Sequence, residues 1–426
     1  MKLRVEPLIA LCDEKVDICI TELPPFGKVK IEASMRFPWA NGVLFESFAF
    51  FTADADGIVD LAKQKPDNGS YDFIDSMGLI VSMKPQKAKE FSKVGQNISV
   101  DNSLCIEVVV QCEQDISKIK LERLFMAKEV KRQKTSDEFA GELFYTENTS
   151  NKTVVWLGGS GSNLAINSPI AALLASHGFN VLSLPYFGEK GLPAKLSEIP
   201  LEYFERAFDW LKKNPITSGK DVYLLGMSKG AELSLILASR YPFIKKMVLW
   251  APHAYCFQGI AFKNASSWTS GGKPLPYIRI KNRWILSDAI SCIIKNQSFG
   301  FMHTYKKALN VANNKDAARI KVENAKADLL ILTNPQNNIW NSYDGCTLIM
   351  ETLRNMNYRY RYDIVVYENA GETFYVPYII PYGDAKIKIA PRLTFSLGGT
   401  LEGNAHLQAD SWEKTIAFFK QQDRNT

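Results

Sequence analysis

The sequence predicts a two-domain chain: a β-sandwich over residues 1–135 and a doubly wound, mostly parallel α/β domain over residues 139–426. Three observations carry this expectation. Short runs of alternating hydrophobicity, separated by turn residues, fill the first part. After about residue 139 the pattern changes to strands and helices in alternation. The chain of 426 residues, 46% hydrophobic and 23% charged, can build two cores and is not of disordered composition.

In the first part the runs are VDICITEL (16–23), VKIEASMRF (29–37), LFESFAFFTA (44–53) and LCIEVVVQCE (104–113). Pro24-Pro25-Phe26-Gly27, Asn41-Gly42, Asp56-Gly57 and Asn68-Gly69 supply the turns between them. The basic, polar stretch from Lys128 to Ser136 reads as a linker. In the second part TVVWLGG (153–159) is a strand ending in glycines, followed by a helix over SPIAALLASHGF (168–179) and a strand over NVLSLPYF (180–187). LEYFERAFDWLKKN (201–214) is an amphipathic helix. DVYLLGMSKG (221–230) is a strand running into a turn, and AELSLILASRYP (231–242) is a helix. KKMVLWAP (245–252), ADLLILTN (327–334) and YRYDIVVYENAG (360–371) are strands, and SWEKTIAFFKQQ (411–422) closes the chain as a helix.

Charge and cysteine usage exclude several function classes. Lys plus Arg is 51 against 45 Asp plus Glu, a net charge of +6 that is too mild and too dispersed for a nucleic-acid partner. The seven cysteines form no C-x-x-C pair and no metal-ligand spacing, so reduced thiols in the cytoplasm are expected. The apolar stretch of MKLRVEPLIALCDEK is short and bracketed by Glu6 and Asp13, unlike a signal peptide. No window approaches the roughly 20 apolar residues of a transmembrane helix. Only four histidines are present (His177, His253, His303 and His406), which leaves little room for a metal site. No cofactor is expected. The sequence leaves the oligomeric state open.

Gly226-Met227-Ser228-Lys229-Gly230 fits G-x-S-x-G between a strand and a helix, the context of a nucleophile elbow. The central serine must be strained to expose its Oγ, and the flanking glycines remove side chains that would clash. An oxyanion hole then needs two backbone N–H groups: one from Lys229, after the nucleophile, and one from the loop after an early strand. Gly159, Ser160, Gly161 and Ser162 form such a loop. A phosphate-binding loop is the rival reading, but the G-K-[ST] ending is missing.

With these residues in place the chain resembles the acyl-CoA thioesterase / bile acid-CoA:amino acid N-acyltransferase family. LLGMSKGAELSLILAS resembles that family's elbow. LEYFERA (201–207), ADADGIVDLA (53–62), GSYDFIDSMGLIVSMKP (69–85) and GNAHLQADSWEKTIAFF (403–419) resemble further family segments, so the likeness runs over nearly the whole chain. It implies an immunoglobulin-like N-terminal sandwich and a C-terminal α/β-hydrolase domain. It also implies cleavage of fatty acyl-CoA, or transfer of the acyl group to an amino acid. The transferases usually carry a Cys nucleophile, so Ser228 resembles the hydrolase branch.

Two triad positions depart from the family. Its acid lies in a loop ending Asp-Asp-x-Asn-Trp, where this chain reads Thr333-Asn334-Pro335-Gln336-Asn337-Asn338-Ile339-Trp340. Anchoring on Trp340 puts Gln336 or Asn337 at the acid, and Asp344, the nearest carboxylate downstream, is expected on the next helix. The family histidine follows the next strand, where this chain has Glu372. A thioester tolerates such losses better than an amide, because a thiol of pKa about 8.5 leaves readily. The serine still needs a base, and a Glu at about 4.3 is weaker than a His at about 6.5 unless burial raises it, so weak or absent hydrolysis is expected unless another base has been recruited.

His406 is a candidate substitute base, since the last helix can supply a triad histidine, although a structural histidine at a helix start is the plainer reading. His253 follows the strand after the elbow and could face the pocket, although a loop histidine without a role is the plainer reading. His177 and His303 read as structural. Glu232, one turn after Ser228, reads as a partner of Lys229 or a neighbour rather than a catalytic group. The basic and aromatic segment 273–283 could contact CoA phosphates or be a solvated loop. Two functions remain: an acyl-CoA thioester hydrolase, or acyltransferase-like relative, using Ser228 with Glu372 or His406 as base and Asn337 at the acid position; or a degenerate member that binds acyl-CoA, lipid or a protein without turnover.

Overall fold

The computed structural model describes residues 1–37, 43–86, 99–135, 139–147, 152–161, 163–261, 263–379 and 386–422. The expected turn at Asn41-Gly42 and the loop residue Ser162 lie outside them. The chain forms two compact units: Met1–Ala127 with Tyr375–Asp384 and Thr400–Ala409, and Lys128–Phe374 with Ala385–Gly399 and Asp410–Thr426. The division falls at Ala127, several residues before the expected linker ends, and the first unit also takes two late segments. The physical reason is that Lys131–Lys134 is an edge strand of the second unit. Edge strands carry charge, so its exposed Lys-Arg-Gln-Lys reads as linker in sequence.

The first unit is β-rich. Its larger sheet orders Ile9–Leu11, Asp115–Leu124, Ser103–Cys112, Lys28–Phe37, Val43–Thr52 and Asn68–Gly69. A smaller sheet pairs Lys2–Glu6, Asp17–Thr21 and Val59–Asp60. The expected period of two is seen directly: Val29, Ile31, Ala33 and Met35 of one strand and Leu104, Ile106, Val108 and Val110 of its neighbour are buried at alternate positions.

In the second unit eight strands form one sheet. Labelled along the chain they are β1 (Lys131–Lys134), β2 (Glu142–Tyr145), β3 (Lys152–Leu157), β4 (Asn180–Ser183), β5 (Asp221–Met227), β6 (Ile244–Trp250), β7 (Asp328–Thr333) and β8 (Tyr362–Val366). Their spatial order is β1-β2-β4-β3-β5-β6-β7-β8, with β2 antiparallel to both its neighbours and every pair from β4 to β8 parallel. The longer helices are α1 (Leu164–Ser176), α2 (Glu202–Lys213), α3 (Lys229–Ala238), α4 (Asn282–Lys295), α5 (Met302–Val311), α6 (Ser342–Asn355) and α7 (Leu401–Lys420). Central strands such as β3, β6 and β7 are each buried at all but one position, as expected of a parallel sheet covered on both faces. α7 begins ten residues before the expected closing helix, so His406 lies inside it.

Candidate active site

The elbow forms as the sequence requires. Ser228 ends β5 at φ 52° and ψ −116°, a positive-φ conformation that a serine adopts only when its surroundings impose it. Its N–H donates to the Trp250 carbonyl at 2.8 Å, and its carbonyl accepts from Ala231 and Glu232 at 3.0 Å, so sheet and helix hold it from both sides. A Cβ on Gly230 would lie 2.0 Å from the Leu157 carbonyl oxygen, and one on Gly226 would lie 2.6 Å from that of Gly230. Both glycines are therefore demanded by close backbone approach.

Gly159 lies against Ser228: a Cβ there would be 3.4 Å from Ser228 Cβ. The preceding Gly158 carbonyl accepts a 2.5 Å hydrogen bond from the buried Tyr186 hydroxyl, which anchors the loop. Ser160 is half-buried and Gly161 exposed. As the first residue of α3, Lys229 carries a backbone N–H without an intrahelical acceptor.

The side chain of Lys229 turns into the core. Its Nζ pairs with Glu232 Oε1 at 2.6 Å, and both side chains are almost fully buried. Trp268 Nε1 donates to the same oxygen at 2.7 Å, and the Phe257 N–H donates to Glu232 Oε2 at 3.3 Å. The Lys229–Glu232 pairing expected from the sequence is present, and it occupies Glu232 structurally.

Three predicted positions are brought together. Glu372 follows β8 and is 7% exposed. Burial pushes its pKa from 4.5 up to about 7, against hydrogen-bonding interactions with Ser228 and Asn337 that pull it down. Its Oε2 has no hydrogen-bond partner among the described residues. Asn337 is buried, whereas Gln336 is exposed and donates to Asn369 at 3.4 Å. Of the two residues the sequence offers for the acid position, Asn337 is the buried one. Asn337 Oδ1 accepts from the Ile339 and Trp340 N–H groups at 2.9 and 3.2 Å, and its Nδ2 donates to Asn334 Oδ1 and Ser342 Oγ, each at 3.4 Å. The loops interlock around Glu372. Its N–H donates to the Leu397 carbonyl at 2.9 Å, Asn334 Nδ2 donates to the Gly371 carbonyl, and a Cβ on Gly371 would lie 2.2 Å from the Gly398 carbonyl oxygen.

The other candidates fall elsewhere. His406 is exposed on α7, in the segment that clusters with the first unit, while Ser228, Glu372 and Asn337 are buried in the second. It is not a helix-start histidine, because α7 starts at Leu401. His253 is fully buried, its Nδ1 accepting from the Tyr255 N–H at 3.2 Å and its Nε2 lacking a partner among the described residues. Burial drives its pKa down to about 3. The ring is wedged against Phe257 and Trp340, and a Cβ on Gly345 would lie 2.7 Å from it. Asp344 lies on α6 as expected, exposed and paired with Lys306 at 3.1 Å. Tyr305 was not singled out by the sequence. It packs on Phe257 and Trp340, and burial, reinforced by the carboxylates Glu232 and Glu372, raises its pKa. No motif marks such a residue in advance. Among the described residues no His, Cys, Asp or Glu cluster suited to a metal ion is found.

With an elbow, an adjoining glycine loop and two further polar residues in place, comparison with known proteins gives the family. A model described as "BAAT / Acyl-CoA thioester hydrolase C terminal" matches residues 199–425, and "Acyl-CoA thioester hydrolase/BAAT N-terminal region" matches residues 13–137. The chain belongs to the BAAT / acyl-CoA thioester hydrolase family. Among its relatives, the mouse bile acid-CoA:amino acid N-acyltransferase is 29% identical over 99% of this chain and 97% of its own. The human acyl-coenzyme A thioesterase 1 is 27% identical over 97% of this chain and 95% of its own. Solved structures that resemble the chain include an acylaminoacyl peptidase from Pyrococcus horikoshii, 10% identical at a TM-score of 0.43 over 91% of this chain and 55% of that one. An esterase from Pyrococcus furiosus is 15% identical at a TM-score of 0.36 over 57% of this chain and 83% of that one. No helix among the described residues is long and apolar enough to cross a membrane.

Proposed function

We propose that this family member is an acyl-CoA thioester hydrolase, or an acyltransferase-like relative, that works through Ser228, Glu372 and Asn337. The observation that carries the proposal is the buried carboxyl of Glu372, facing Ser228 and Asn337 with a pKa of about 7. An exposed Glu would be almost fully ionised at neutral pH and a poor base. One raised to about 7 is about as basic as an imidazole. The two substitutions fit each other. A family-type Asp beside Glu372 would set two carboxylates together, whereas the amide of Asn337 adds no charge and its side-chain interaction favours the ionised Glu372.

The chemistry follows. Ser228 Oγ attacks the thioester carbonyl as its proton passes to Glu372. The oxyanion is held by the N–H groups of Lys229 and of the Gly159–Ser162 loop. The C–S bond breaks, CoA leaves as thiolate, and the Glu372 proton passes to it or to solvent. Water, or an amine in a transferase, then attacks the acyl-serine with Glu372 again as base. This needs no cofactor beyond the CoA thioester itself. We further read the β-rich unit as immunoglobulin-like and the protein as cytoplasmic, on the family resemblance and the free cysteines.

The rival is a member that binds acyl-CoA without turnover, favoured by the missing imidazole. Thiol release from a panel of acyl-CoAs, measured beside Ser228→Ala, separates the two. Release that depends on Ser228 supports the hydrolase. Binding with no release at any chain length supports the binder.

A further inference from the structure

Away from the nucleophile, the second unit carries a cleft of about 450 Å³ whose eight lining residues include four cations (Lys263, Arg279, Lys281 and Arg283) and no carboxylate. That volume is within the range of small-ligand sites. The cleft is partly built: Gln258 is buried, its Oε1 accepting from the Ile280 N–H at 3.1 Å. Asn282, which also lines it, is the first residue of α4, a helix of 14 residues with no acidic side chain in its first turn and no side-chain cap. Helix dipole and side chains thus favour negative charge at the same place. One carboxylate is near: Lys263 pairs with Glu198, a partly exposed pair that an anion can compete with. Arg279 and Arg283 are exposed.

The cleft is joined to the catalytic elements by a single step of chain. Phe257 bonds both members of the Lys229–Glu232 pair through its backbone and packs against Tyr305 and Trp340, and the next residue, Gln258, lines the cleft. A concave cationic site without carboxylates suits a multiply phosphorylated small molecule. Arginine forks match phosphate oxygens in pairs.

We propose that this cleft binds the phosphorylated adenosine end of the substrate's CoA carrier, with Arg279 and Arg283 contacting phosphate. The proposal rests on the acyl-CoA reading above, but its test does not need turnover. The full chain carrying Ser228→Ala is titrated with adenosine 3′,5′-bisphosphate, CoA and dephospho-CoA by calorimetry, with and without Arg279→Ala plus Arg283→Ala. Both arginines are exposed, so the fold should survive, and circular dichroism checks this. The expected result is binding of the bisphosphate and CoA that weakens at least about ten-fold in the double variant and falls with rising salt. In the wild-type chain the arginine substitutions should raise KM for acyl-CoA about ten-fold, with kcat and the turnover of acyl-pantetheine unchanged. Equal affinity in the chains with and without the arginine substitutions, or no binding of the bisphosphate to either, would overturn the proposal even if Ser228 chemistry is sound. Nucleotide binding that depends on the arginines, with no thiol release from any thioester, would uphold the cleft and count against the hydrolase.

Discussion

Glu372→Gln tests the cost of holding a base in the core. Raising its pKa from 4.5 to about 7 corresponds to roughly 3 kcal/mol. The sign follows from proton binding. Between these two pH values the folded state binds the proton that the unfolded state has released, so unfolding free energy falls as pH rises. The stabilising contribution of the protonated carboxyl is fully present below about 4.5 and lost as pH climbs through about 7. Glutamine has nearly the same shape and no charge to bury. The variant should therefore match wild type near pH 4 and exceed it at pH 8 by up to roughly 3 kcal/mol, which is a few degrees in melting temperature for a unit of this size. The assay is thermal unfolding of both proteins from pH 4 to 8, following the second unit by its tryptophans. A stability difference that does not change with pH would refute the raised pKa. A variant less stable at pH 8 than at pH 4, relative to wild type, would reverse the reasoning.

Three further outcomes are expected. Asn337→Asp alone should lower kcat at least about ten-fold at pH 7 by placing a second carboxylate against Glu372. Combined with Glu372→His it should recover activity, a strongly non-additive cycle read by thiol release. Lys229→Ala should cost about 3–5 kcal/mol in denaturant unfolding, because it strands the buried Glu232 carboxylate, and Lys229→Met with Glu232→Gln should cost less. Because burial depresses the His253 pKa to about 3, its imidazole proton signals should stay those of the neutral ring from pH 8 to 5; a midpoint near 6.5 would contradict its burial.

Some of this was legible in the sequence and some was not, for physical reasons. The elbow is local: five residues between a strand and a helix fix Ser228, and the close approaches at Gly226 and Gly230 explain why the pattern is strict. Asn337 and Glu372 were found through resemblance, by the loops they occupy. Whether they would meet Ser228 depends on how the loops at 334–340, 370–373 and 397–399 interlock, which no periodicity encodes. Glu372 reads as a candidate base weaker than a histidine unless burial raises its pKa, and sequence carries no burial for a loop residue. His406 looked usable because it follows the nucleophile in chain order, but it lies exposed on α7. α4 is not legible in the sequence because its apolar residues Leu286, Ile290 and Ile294 are exposed, so no core-facing stripe marks the helix. The cationic segment 273–283 was seen, but only folding joins Arg279 and Arg283 to Lys263 around one cleft.

The most direct measurement is the pre-steady-state rate of Ser228 acylation by an acyl-CoA between pH 5 and 9, followed by thiol release and by intact mass, for wild type and Glu372→Gln. If Glu372 is the base, the wild-type rate rises with pH to a plateau above about 7. The variant is then flat and slower by about 10²–10⁴-fold. Superimposable profiles, or an acyl adduct that forms as fast without the Glu372 carboxylate, would contradict it.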